Sequence, residues 1–150
     1  MPLSSKDQVT LEEHFFLSLT RAGSIIHKIA DASLKRAGLT LAEYNLLRIV
    51  ENTPGITAGE ARSRLYATAP SVAQLVAQLT RRSLLQRLRD PKDARRLPLA
   101  LTASGRSSLR GAKREVSSML KGLSLPPRVL PSLVEDLTLL LSSLPSYGDL

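Results

Sequence analysis

The chain has no cysteine, no tryptophan, two histidines, and only two Phe and three Tyr. Lack of thiols excludes disulfides, thiolate metal sites and thiol-based peroxide sensing together. His14 and His27, thirteen residues apart, are too few for a metal site without cysteines, so neither metal nor cofactor is expected. With few aromatics, the core has to be built from Leu, Ile, Val and Ala. No apolar run reaches the ~18 residues of a membrane span. The opening MPLSSKDQVTLEEHFF lacks the apolar centre of a signal peptide. The expected location is the cytoplasm, with no membrane partner. The chain also lacks G-x-G-x-x-G, Walker and G-x-S-x-G motifs, and no serine has a base placed beside it by motif, so an enzyme is not expected. No internal repeat or low-complexity tract is visible.

Acidic residues are also in short supply. Lys and Arg number 21 against 13 Asp and Glu, a net charge of +8 and a pI near 10.4. That balance favours a polyanionic partner, either nucleic acid or an acidic membrane surface. Arg outnumbers Lys, which suits bidentate phosphate contacts. The 150 residues, 43% of them hydrophobic, suffice for one domain, or a small domain with extra helices.

The stretch from Thr57 to Thr102 organises the rest. Thr57 caps a short helix to Leu65, YATAP is a tight break, and Thr68 caps a second helix to about Arg82. Val72, Leu75, Val76 and Leu79 recur at three- and four-residue spacing, on one buried face. Ser71, Gln74, Gln78 and Arg81 share another face, about 130° away at about 100° per residue. A helix with such faces can lie in a major groove, where Gln reads adenine edges, Arg reads guanine or phosphate, and Ser serves either base or backbone. Two helices across a short turn, the second so equipped, form a helix-turn-helix. LLQRLR and RLPLAL then read as strands around the charged turn DPKDAR. Leu97, Leu99 and Leu101 alternate with polar or small residues, and Pro98 restricts its strand to an edge. A basic hairpin in this place is a wing.

These residues resemble the MarR family of winged-helix transcriptional regulators. The likeness rests on D-x-R in the wing (Asp93, Arg95), followed by LTxxG (Leu101, Thr102, Gly105), and spans about residues 10–144. One departure is Ser83, where the family usually has Gly between recognition helix and wing. Ser fits either with a backbone that is not left-handed, or at a modest strain cost. The resemblance implies a mainly α (α+β) fold: a winged helix-turn-helix at about residues 40–102, with dimerisation helices at about 10–37 and 103–146, all in one domain of residues 1–150. It implies a homodimer on a pseudo-palindromic operator in double-stranded DNA.

The flanks suit that reading independently. Asp7 or Thr10 caps a long helix to about Arg36, with apolar Leu11, Phe15, Leu19, Ile26 and Ile29 widened by Phe16 and Ile25. Gly38 ends it. Thr40 and Glu43 form a capping box for the next helix, whose buried face holds Ala42, Leu46, Leu47, Ile49 and Val50. NTPG, Asn52 to Gly55, is a turn. Thr102 opens a helix to Lys121, ended by Gly122. A last helix carries Leu130, Leu133, Val134, Leu137, Leu140, Leu141 and Leu144, with Pro131 in its first turn. Both terminal helices are too apolar for one winged helix to cover, so part of each should pack on another chain or end helix.

Candidate DNA contacts are Thr68, Ser71, Gln74, Gln78, Arg81, Asp93, Arg95 and Arg96. Arg62, Arg64, Arg82 and Arg87 are further phosphate candidates. Arg95 resembles the family's minor-groove arginine; Asp93 either holds it or caps a backbone N–H of the turn. The family often binds small aromatic acids or phenols between the dimer helices and the winged helix. Residues that could line such a crevice here are His14, Phe16, Tyr44, Arg48 and Arg110. The expected function is a sequence-specific regulator, a repressor relieved by such a ligand. An architectural DNA-binding protein without effector, and a protein-interaction module, stay open as alternatives.

Overall fold

The computed structural model describes residues 10–145. Thr10 Oγ1 accepts the Glu13 N–H and opens α1 (Leu11–Leu34); Asp7, the alternative cap, lies outside the described residues. A 3₁₀ turn, Lys35–Ala37, follows, and Gly38 at φ 69° ends it. The Gly38 and Leu39 amides return to the carbonyls of Lys35 and Leu34, a left-handed stop that costs glycine nothing. Thr40 and Glu43 form the expected capping box of α2 (Leu41–Asn52). A second capping box, Thr57 with Glu60, opens α3 (Ala58–Leu65). Thr68 caps α4 (Ala69–Arg81), with Pro70 in the first turn, where a missing N–H matters least.

The wing is an antiparallel pair, β1 (Leu85–Arg87) and β2 (Leu99–Leu101), with Leu85 opposite Leu101 and Arg87 opposite Leu99. Both strands are shorter than LLQRLR and RLPLAL suggest. The ladder ends where Leu88 N–H meets the Pro98 carbonyl at 2.8 Å. Leu97 therefore belongs to the loop and is exposed, against the expected alternation, while Pro98 is buried beside Leu99. On its other side β2 receives one bond, Leu99 N–H to the Ile56 carbonyl at 2.7 Å.

Thr102 caps α5 (Ala103–Gly122), and α6 (Leu130–Ser143) follows with Pro131 in its first turn. Gly105 shows why the motif needs glycine. A Cβ there would lie 1.9 Å from the Leu84 carbonyl oxygen, which also accepts the Thr102 N–H at 3.2 Å. The start of α5 is thus pressed against the exit of α4.

The core lies between α2, α4, the wing strands and the middle of α5. Leu34, Leu46, Leu47, Val76, Leu79 and Leu109 are wholly buried, each contributing about 1.5–3 kcal/mol. On α2, Ala42 is exposed and Glu43 buried, the reverse of expectation. Leu46, Leu47 and Val50 are buried as expected, and Glu43 joins them because it serves both the capping box and Arg82. The terminal helices behave differently. From Leu11 to Lys28, roughly five turns, α1 is exposed on every side, and α6 buries no residue. The burial on two sides expected of the last helix is absent from a single chain. No helix among the described residues is long and apolar enough to cross a membrane.

Candidate nucleic-acid interface

Helix α4 separates its two faces as its spacing requires. Val72, Val76 and Leu79 are buried and Leu75 half-buried, whereas Ser71, Gln74 and Arg81 are exposed and Gln78 half-buried. Thr68 stands at the helix start, its hydroxyl accepting the Ser71 N–H at 3.3 Å. An aliphatic face thus anchors the helix to α2 and the strands, and the polar face is left free. The turn before α4 is fixed by Tyr66 at φ 49°, whose N–H bonds the carbonyls of Arg62 and Ser63. That left-handed stop carried no glycine to announce it.

After α4 the backbone turns through Ser83 at φ 56°. The left-handed alternative therefore applies, at the strain cost a Cβ brings there. Ser83 and Leu84 donate to Thr80 and Leu79 at 2.9 Å each, and the Thr102 hydroxyl donates to the Ser83 carbonyl at 2.6 Å. These bonds hold the turn that aims the wing away from α4.

The wing loop is shaped by two aspartates. Asp90 Oδ1 accepts the Lys92 N–H and Asp93 Oδ1 the Arg95 N–H, both at 2.9 Å, successive side-chain-to-backbone turns. Of the two roles open to Asp93, backbone capping is the one present. Its carboxylate makes no ion pair with Arg95. Arg95 is exposed and forms no ion pair among the described residues. Arg96 is differently employed. It approaches Glu60 and Asp90 at 3.5 Å each and donates to the Gly55 carbonyl at 3.3 Å, tying the wing to α3 while staying exposed.

The phosphate candidates divide in the same way. Arg62 and Arg87 are exposed. Arg64 donates to the Thr53 hydroxyl. Arg82 is committed inward, to Glu43 Oε1 at 2.8 Å and the Gly38 carbonyl at 2.6 Å. The clamp residues Arg82 and Arg96 were legible only as basic residues; their acidic partners lie far off in the chain.

A second site is a cleft of about 690 Å³ between α2, α5 and α6. Tyr44 and Arg48 line it with Lys113, Val116, Leu120, Lys121, Leu130 and Val134. Of five candidate ligand residues, it gathers only Tyr44 and Arg48. His14 lines a shallow hollow along α1 with Leu17 and Arg21, Phe16 is exposed on α1, and Arg110 is exposed on α5, outside the cleft. At the rim Glu51 takes Arg48 at 3.3 Å and Lys113 at 2.6 Å. The α5 contribution, Lys113, Val116, Ser117, Leu120 and Lys121, was missed although its three- and four-residue spacing marks one face.

Electrostatics at the helix starts is uneven. Glu60 has its carboxyl held below the usual range by the Thr57 backbone N–H, then by the Thr57 hydroxyl, with Arg96 and Arg64 adding their charge. The first turns of α4 and α5 carry no acid, so neither helix start repels an anion.

Known proteins share this arrangement. The MarR family model matches residues 37–96, from the end of the 3₁₀ turn into the wing. The transcriptional repressor Rv2887 of Mycobacterium tuberculosis is 29% identical over 98 residues, 65% of this chain and 70% of its own. CouR of Rhodococcus jostii RHA1, solved with p-coumaroyl-CoA, superposes with a TM-score of 0.77 at 22% identity, covering 87% of this chain and 93% of that one. The MepR–DNA complex of S. aureus gives 0.73 at 24% identity over 93% and 99%. Fold, wing motif and relatives agree: over residues 37–96 the chain matches the MarR family, and it shares the winged-helix fold of that family's transcriptional regulators.

Proposed function

We propose that the chain is a homodimeric repressor that reads a pseudo-palindromic operator. In this reading α4 enters the major groove and Arg95 the minor groove, and a small aromatic or phenolic acid relieves binding. One observation carries it: the exposed Ser71–Gln74 face of α4 stands beside a wing whose Arg95 has no ion-pair partner among the described residues. Ser71, Gln74 and Gln78 are the base readers, Arg81 the phosphate contact, and Thr68 positions the helix start. Asp93 and Arg96 support the wing without touching DNA. The names of relatives lend support, one a repressor and one solved on DNA.

For the effector, the cleft offers an apolar floor and Arg48 beside Tyr44. A carboxylate entering it competes with Glu51 for Arg48, and CouR with its coumaroyl thioester is a precedent for an aromatic acyl ligand in this fold.

Selection of duplexes from a random pool tests the reading. Gln74→Ala and Gln78→Ala should each lose roughly 1–3 kcal/mol on the selected site and little on random DNA. Arg81→Ala should weaken both and lower the salt slope by about one. Equal weakening of every sequence by the Gln variants would overturn the recognition face. No enriched sequence at all would favour an architectural DNA binder. Adding phenolic acids to the complex tests the effector: release by one of them, abolished in Arg48→Ala, is the expected result.

A further inference from the structure

Arg82 closes α4, and its two terminal nitrogens go to different places. Nη1 donates to Glu43 Oε1 at 2.8 Å and Nη2 to the Gly38 carbonyl at 2.6 Å. The other Glu43 oxygen, Oε2, accepts the Thr40 N–H at 2.8 Å inside the capping box of α2. Gly38 ends the turn after α1. One guanidinium therefore ties the exit of the recognition helix to the point where α1 stops and α2 starts. Glu43 is 6% exposed, and both of its carboxylate oxygens are taken up by these bonds.

We infer that Arg82 is a positioning residue for base readout, setting the angle of α4 against the junction of α1 and α2. This rests on α4 being the DNA-reading helix. Arg82 is not a phosphate contact, because both terminal nitrogens are engaged inside the chain; the exposed Arg81 is free for that role. A tilted α4 loses its register on base edges, while phosphate contacts of a non-specific complex tolerate the tilt. Removing Glu43's charge should do the same harm, although a more positive protein should bind a polyanion more tightly.

The test is titration of wild type, Arg82→Gln, Arg82→Lys, Glu43→Gln and Arg81→Gln against a selected operator and a random duplex across salt concentrations, where each protein is folded by circular dichroism. Arg82→Gln and Glu43→Gln should lose about tenfold on the operator and keep random-duplex affinity and salt slope. Arg82→Lys should fail to rescue, since a single nitrogen on a shorter side chain replaces the planar fork whose Nη1 and Nη2 reach Glu43 and Gly38 separately. Arg81→Gln should lower both affinities and the slope. Arg82→Gln behaving like Arg81→Gln would overturn the inference, as would an unchanged operator-to-random ratio. Should Glu43→Gln not fold, the two Arg82 variants decide the matter. A wild type with no preferred duplex would sink the DNA reading instead. Hydrogen exchange at the Thr40 amide, faster in Arg82→Gln, reports the tie independently of DNA.

Discussion

Asp93 accepts the backbone N–H of Arg95 at 2.9 Å and leaves its guanidinium free. The acid orders the chain on either side of the arginine, and the Arg96 N–H returns to the Asp93 carbonyl at 3.0 Å. The distinction between backbone and side-chain restraint changes what a substitution should do. Asp93→Asn keeps an acceptor for the Arg95 N–H and removes a negative charge, so operator binding should hold or tighten. Asp93→Ala removes the acceptor and should loosen the turn by about 0.5–1.5 kcal/mol, weakening binding despite the same charge change. Titration at fixed salt separates them; equal gains in both variants would mean that Asp93 merely repels phosphate.

Ser83 occupies a left-handed position at φ 56° that costs an ordinary residue about 1–2 kcal/mol. Ser83→Gly should remove that strain and add unfolded-state freedom of about 0.4–1 kcal/mol. A net gain of roughly 0.5 kcal/mol is expected, read as a higher urea midpoint at unchanged slope. A lower midpoint would show that the Cβ does not strain this turn.

The helix faces and caps of this fold were legible because they are local. Thr40, Thr57, Thr68 and Thr102 all cap the helices they precede, since a hydroxyl reaches an amide three residues on without tertiary help. What escaped depends on residues distant in the chain. Glu43 reads as a capping residue only until Arg82, 39 positions later, explains its burial. Arg96 reads as a DNA contact, and its ties to Glu60 and Gly55, 36 and 41 positions earlier, become visible only in the fold. Leu97 continues the alternation of its strand, but the ladder stops one residue earlier at Pro98. The cleft candidates divide for the same reason: Tyr44 and Arg48 share the cleft, whereas His14 lines a hollow along α1 and Phe16 lies exposed on that helix.

Acid titration should expose the capping box of α3. The Glu60 carboxyl is depressed in the folded chain by the Thr57 amide first. A depressed folded value means stability that is present above the ordinary carboxylate range and lost as pH falls through the folded value. Glu60→Gln should therefore flatten the acid limb of the stability curve and leave neutral-pH DNA binding nearly intact. Urea midpoints of both proteins below and above the carboxylate range check this; an unchanged acid limb would remove Glu60 from the account.

Dimerisation gives a test in which exposure itself is the lever. Ile26 on α1 and Leu141 on α6 are 49% and 48% exposed in one chain. A charge placed there costs an isolated chain little, typically within about 0.5 kcal/mol for a surface position. The same charge inside a subunit interface is buried without a partner and costs several kcal/mol. Ile26→Asp and Leu141→Asp should therefore sediment as smaller species than wild type at micromolar concentration. The isolated α1 segment, marginal without a partner, should lose helix signal at the same time. Operator affinity should fall steeply, because half-sites are then bound one at a time. Wild-type sedimentation as a monomer would sink the homodimer. Unchanged dimers in both variants would instead move the interface away from these two faces.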